Sequence, residues 1–152
     1  MINSLSQYVE RFTRDARVGI PLGKRSQGTP IPRNVEAYFS GKSVELAKHN
    51  VAGIRNFYLG RNGTEDGLGF YEYLKGLNSG QENALADKLQ SQLNLAVEKV
   101  EAMPSPLSHA VQQNPSHVDQ AHGELQRLVI LIKTEFSSAL GVLITYQDND
   151  GD

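Results

Sequence analysis

Apolar residues recur along this chain at steps of three and four, most clearly in its second half. Leu85, Leu89, Leu93, Ala96, Val97, Val100 and Met103 make one helical stripe, and Pro104-Ser105-Pro106 ends it. Ala121, Leu125, Leu128, Ile132, Phe136 and Ala139 make a second. Val129, Ile130, Leu131 and Leu140 widen that stripe enough for packing on more than one neighbour. Taken alone, the apolar run 128–132 fits a buried strand, but its polar flanks at helical spacing and the total length argue for helix. Ser116 with Asp119 reads as a capping box that opens this helix, and Gly141 reads as its stop. Two long helices, 81–103 and 116–140, joined by a short linker, predict an antiparallel pair in a bundle. Residues 107–112 add a turn of helix between them.

The first half follows the same period. Ser4 and Gln7 form a second capping-box pattern, and Leu5, Tyr8, Val9, Phe12 and Ala16 fall on one face of a helix over 4–18. Ile20-Pro21 should end it, because the residue before proline is pushed out of the α region. Residues 22–33, rich in Gly, Pro and basic side chains, form a long irregular connection, either a solvated linker or an anion-attracting loop. Residues 35–39 make one turn, broken by Gly41, and Ser43 caps a helix with Val44, Ala47, Val51, Ile54 and Tyr58 or Phe57 inward. Gly60-Arg61-Asn62-Gly63 closes it in a turn, and a short helix follows over 68–77 with Phe70, Tyr71, Tyr73 and Leu74. Ser79 with Glu82 is a third capping box, opening the helix over 81–103. No strand pair or internal repeat is predicted. The expected fold is all-α: a single domain over 1–152, a bundle of about four to five helices with a long irregular loop and a short C-terminal tail. In that tail Val142, Ile144 and Tyr146 alternate with Leu143 and Thr145, so one side can dock on the bundle.

Composition narrows the function classes. At 152 residues one domain can bury a sizeable core without staples. Fifteen basic and seventeen acidic residues give a net charge of −2, so no global field favours nucleic acid. The absence of cysteine removes disulfides, thiolate metal sites and cysteine nucleophiles. No transmembrane span or export signal is legible, which predicts no direct membrane insertion. The polypeptide is expected to be either cytoplasmic or part of something longer whose signal lies upstream.

Candidate chemistry is sparse. The histidines, His49, His109, His117 and His122, form no helical zinc arrangement, and Asp119 and His122, one turn apart, read as a local pair. Asp148, Asp150 and Asp152 suggest a calcium loop, but the glycine falls too early and no closing Glu follows, so a solvated acidic terminus is expected. No nucleophile elbow, P-loop or dinucleotide fingerprint occurs. The aromatics Tyr58, Phe70, Tyr71 and Tyr73 read as core and interface residues, since basic residues do not interleave with them as in a nucleic-acid groove. These residues assign no catalytic group and no metal ligand.

Three passages together resemble the imelysin family, in its bacterial lipoprotein branch. They are Val18-Gly19-Ile20-Pro21-Leu22-Gly23-Lys24-Arg25, then Val35-Glu36 through Ser40-Gly41-Lys42-Ser43 to Gly60, and Leu140-Gly141-Val142 with the closing Asp148-x-Asp150-Gly151-Asp152. Their order and spacing look like the C-terminal half of that family. The resemblance implies an extracytoplasmic helical protein, periplasmic or on the outer surface, of two bundle-like halves. It implies a link to iron acquisition and a historical metallopeptidase label. The family's Gly-x-His-x-x-Glu motif belongs to the other half and does not occur here; His122-Gly123-Glu124 has the wrong spacing. No cofactor is therefore expected in this chain, while iron or another divalent metal fits the intact family protein. Arg17, Lys24, Arg25, Glu36, Ser40 and Ser43, in or beside the matching passages, are the ligand-groove candidates. The expected function is a non-catalytic binding module; the alternatives are a metallopeptidase fragment and a purely structural helical interaction domain. The expected partner is the missing N-terminal half or a second copy, as a homodimer.

Overall fold

A computed structural model of the chain describes residues 1–77 and 84–146. Among these residues there are six helices. The first, α1, spans 2–22 without interruption, through Ile2–Gln7, a π-helical Tyr8–Gly19 and a last turn Ile20–Leu22. It is followed by α2 (Ser43–Leu59), α3 (Phe70–Leu77), α4 (Ala84–Glu101), α5 (Leu107–Gln113) and α6. The last spans 115–139, as Pro115–Leu131, a π segment Ile132–Phe136 and Ser137–Ala139. Helices α1, α2, α4 and α6 close a ring, each packed on the next, with α3 resting on α2 and α4. Lys88 meets Glu135 and Gln92 meets Glu124, so α4 and α6 run antiparallel as their stripes predict. Lys133 to Glu10 and Asp119 to Lys24 give α1 and α6 the same opposed sense.

The stripes of α2, α4 and α6 go where their period places them. Val44, Ala47, Val51, Ile54 and Tyr58 are buried, as are Leu89, Leu93, Val100, Leu125, Leu128 and Phe136. The run 128–132 is helical, and the tail docks through its alternate side chains: Val142, Ile144 and Tyr146 are half-buried while Leu143 is exposed. Tyr58 and Phe70 both stack edge-on against Phe136, and Tyr71 packs on the same core, whereas Tyr73, read with them as a core or interface residue, is exposed.

The face of α1 is a correction. Tyr8, Phe12 and Ala16 point outward, while Ser6, Glu10, Thr13 and Arg14 are buried beside Val9 and Val18. The physical reason is the π winding. Bonds of the i→i+5 type, such as Ile20 N–H to Asp15 O, change which residues share a side, so a 3.6-residue reading selects the wrong set. Pro21 does not stop the helix either; the stop comes two residues later at Gly23, in the left-handed region at φ 96°.

The capping boxes fail for local reasons. Pro115 supplies the first turn of α6, which leaves Ser116 inside the helix and Asp119 free to pair with Lys24. Met1 precedes α1, with Ser4 already helical, and Ser43 opens α2 from inside while accepting a hydrogen bond from Ala37 N–H at 3.1 Å. The cap that does form is Glu72, which accepts from Gly69 N–H at 2.8 Å. A short antiparallel pair, Arg61–Asn62 with Glu65–Asp66, extends the turn after α2 where no strand was predicted. Two expectations, the Ser79–Glu82 capping box and the calcium-like Asp148, Asp150 and Asp152, lie outside the described residues.

Candidate functional site

At the C-terminal end of α1 the chain folds back on itself. Gly28 N–H bonds to Gly23 O, and Ile31 N–H bonds to Pro21 O, so residues 23–31 form a compact turn. A Cβ on Gly23 would sit 2.6 Å from the backbone of Thr29, so only glycine admits this return.

The cationic candidates each meet an acid. Arg17 reaches Glu36 at 3.0 Å and also donates to Phe12 O; Lys24 reaches Asp119 at 2.6 Å; Arg25 reaches Asp15 at 2.9 Å. The Arg17–Glu36 pair brings two of the predicted residues together. Ser40 and Ser43 both address Ala37, one donating to its carbonyl at 3.4 Å and the other accepting from its N–H. Ser43 is buried and orders the loop; Ser40 is exposed. Lys24 turns to α6 through Asp119, and Arg25 turns back to α1 through Asp15, so these two cations serve ion pairs other than Arg17–Glu36.

Behind this end lies a polar spine that the sequence reading missed. Glu10, 2% exposed, faces Arg14 at 3.6 Å, Lys133 at 3.3 Å and the Tyr146 hydroxyl at 2.7 Å. Arg14 also donates to Asp15 at 2.7 Å and to Gln126. Ser6 shares a 2.7 Å hydrogen bond with Tyr146. Burial opposes ionisation of Asp15, but hydrogen bonds from Arg14 and Arg25, with their positive fields, hold its carboxyl below the usual range. His122 packs against Gly19, where a Cβ would come within 3.1 Å of its Nε2. Burial pushes the His122 imidazolium down to about 4, helped by the nearby Lys24 and Arg14 and only partly offset by Asp15 and Asp119. The signal available in the sequence was the i,i+4 spacing of Glu10 and Arg14 within a helix otherwise rich in apolar residues.

Among the described residues no three His, Asp or Glu side chains converge as a metal-holding group. Of the candidates, Arg17, Lys24 and Arg25 are cations with no lone pair to offer a bare metal ion, and Glu36 is engaged by Arg17. None of the described helices is long and apolar enough to cross a membrane.

At the other end of the ring, two hollows of about 480 and 510 Å³ open between α1, α2 and α3. Met1 and Phe57 line both.

Comparison with known proteins places this geometry. The chain is similar to an imelysin peptidase from Bacteroides ovatus of known crystal structure, with a TM-score of 0.72 at 19% identity. The match covers 91% of this chain and 38% of that one, so the chain spans about two fifths of the relative's length. At that identity the likeness shows the fold. No curated protein matches. The family model for imelysin matches residues 1–134, and the chain therefore belongs to the imelysin family.

Proposed function

We propose that the chain is a non-catalytic helical binding module of an imelysin-type periplasmic lipoprotein system, serving iron acquisition. In this reading Arg17, Lys24, Arg25, Glu36 and Ser40 line one wall of a ligand groove, and the buried Ser43 orders the loop behind it. The observation that carries the proposal is the 3.0 Å Arg17–Glu36 pair, which ties the first family-like passage to the second at one end of the bundle. Each of these guanidinium and ammonium groups already pairs with a carboxylate, the ligand chemistry it suits, and an anionic chelate of ferric ion is the form of iron such groups can hold. A bare ion fits them poorly, since no three carboxylates or imidazoles converge among the described residues. Titration of the protein with ferric citrate, monitored by thermal unfolding, tests the reading. The expected result is a saturable rise in Tm that citrate alone does not produce and that Arg17→Ala removes. No rise with ferric citrate refutes it.

A second reading, a share in a metallopeptidase, is supported by the description of the Bacteroides ovatus relative as a peptidase. Catalysis would need a metal-held water and a general base. Cleavage of a generic peptide substrate by the purified chain with added zinc or iron would favour it over the binding module.

A further inference from the structure

The groove between α1 and α6 holds the C-terminal tail by contacts to its main chain and to one side chain, as a recognition site holds a peptide. We propose that this groove is a binding site for an extended segment bearing a tyrosine. Residues 143–146 fill it in cis, so the tail is a strap that a segment of the same kind, supplied in trans, displaces.

The Asn3 amide donates to Leu143 O at 3.1 Å and accepts from Thr145 N–H at 3.2 Å. In an extended chain a carbonyl and the N–H two residues on share one edge. Asn3 therefore supplies the contacts a neighbouring strand would, whatever the sequence it meets. Selectivity comes at Tyr146. Its hydroxyl lies 2.7 Å from Glu10 Oε2 and 2.7 Å from Ser6 Oγ, both residues buried. Arg11 and Lys133 stand over its ring, 5.7 and 5.5 Å from the centroid. An accepting carboxylate and two cations on the ring select a neutral phenol. Phenylalanine gives Glu10 no hydroxyl, and a phosphorylated tyrosine sets its own charge against that carboxylate. Glu10 and Arg11 belong to the π segment of α1 and Lys133 to that of α6, and π windings recur at functional sites.

The hold on the strap is light. Val142 N–H bonds to Ser137 O, and among the described residues no backbone–backbone hydrogen bond ties 143–145 to the helices. Both Asn3 bonds are exposed, where water competes for them, and Leu143 is 80% exposed. The tail leaves α6 at Gly141, with φ 63° and nothing within 4 Å of a Cβ placed there.

This site does not depend on what the Arg17–Glu36 end binds. The test is fluorescence anisotropy of a labelled peptide amide, Val-Leu-Ile-Thr-Tyr, the sequence of 142–146, titrated with the full chain. In wild type the tethered tail competes at an effective concentration on the order of millimolar, so weak binding is expected. Tyr146→Ala empties the ring site without touching a helix, and is expected to bind the peptide saturably, at least about tenfold more tightly than wild type. Thr145→Pro, which removes the N–H that Asn3 accepts from, is expected to shift binding in the same direction. A peptide ending in phenylalanine is expected to bind Tyr146→Ala roughly tenfold more weakly, the loss of one hydrogen bond to a charged group. A Tyr146→Ala chain that is folded by circular dichroism and binds no peptide overturns the proposal, because the tail is then only part of the core. If that variant is unfolded, Thr145→Pro decides by the same criterion. Wild type that binds as tightly as the variants, or equal binding of the phenylalanine peptide, overturns it as well.

Discussion

The Tyr146 hydroxyl donates to Glu10 Oε2 at 2.7 Å across 136 positions of sequence, and so fastens the C-terminal tail to the buried side of the first helix. Because the tyrosine proton goes to the carboxylate, the Ser6 hydroxyl must supply the proton in its own 2.7 Å contact with Tyr146. Asn3 completes the fastening, donating to Leu143 O and accepting from Thr145 N–H.

Tyr146→Phe keeps the ring and removes only this hydroxyl. Hydrogen bonds to charged groups contribute about 1.5–3 kcal/mol, so the expected loss lies in that range. For a domain of this size each kcal/mol shifts Tm by about 2–4 °C. Thermal unfolding should therefore shift down by several degrees, and an unchanged melt would show that the tail is not held by Glu10.

Glu10→Ala is expected to cost more. It leaves the Arg14 and Lys133 side chains, 4% and 17% exposed, without the carboxylate they share. Breaking a buried charge pair from one side costs about 3–5 kcal/mol. Urea unfolding should show a loss larger than that of Tyr146→Phe. The double variant should lose, beyond Glu10→Ala alone, only the Ser6–Tyr146 hydrogen bond, because the Glu10–Tyr146 contact is already gone.

His122 gives stability a dependence on pH. In the unfolded chain it takes a proton near 6.5, whereas in the folded chain burial delays protonation to about 4. Between those values the unfolded state binds more protons, so acidification favours unfolding. The His122 contribution is therefore complete above about pH 6.5 and is lost progressively toward pH 4. Asp15 acts lower: its depressed carboxyl stabilises the fold above the ordinary value of 3.8 and loses that effect as pH falls through its folded value. Melting curves of His122→Gln between pH 4 and 6.5 should be flatter than those of wild type. Parallel curves would mean that another group sets the slope.

Gly23 and Gly28 separate strain from collision. Both have positive φ, 96° and 82°, but a Cβ strikes the Thr29 backbone only at Gly23. Gly28→Ala should cost about 1–3 kcal/mol, the ordinary penalty for backbone strain of this kind. Gly23→Ala should cost clearly more, and urea midpoints for the two variants measure the difference.

Much of the ring was legible in the sequence because α2, α4 and α6 obey a simple apolar period over many residues. Leu89, Leu93, Leu125 and Leu128 each bury where a 3.6-residue wheel places them. The first helix was not legible, since its buried side carries Ser6, Glu10, Thr13 and Arg14, and polar residues announce an inward position only when their partners are known. Thr13 finds its partner, Asn50, 37 positions on, and Gln126, Lys133 and Tyr146 lie more than a hundred residues away, all beyond the reach of any local pattern. Arg17 and Glu36 were legible through family resemblance, and the ion pair between them is a fact of tertiary structure alone. Capping boxes misled for a simpler reason: Pro115 starts its helix by its fixed backbone angle, and no side-chain cap is needed there.

The π winding of Tyr8–Gly19 also sets a rule for insertions and deletions. A π-helical hydrogen bond spans one residue more than an α-helical one, so removing one residue inside that segment lets bonds such as Ile20 N–H to Asp15 O close at α spacing between the same partners. Gly19 then keeps its place beside the His122 ring, and Lys24 and Arg25 stay within reach of Asp119 and Asp15. The segment between Glu10 and Gly23 thus tolerates the loss of one residue better than a plain α-helix would, and what such a loss changes is which side chains of Tyr8–Gly19 face inward.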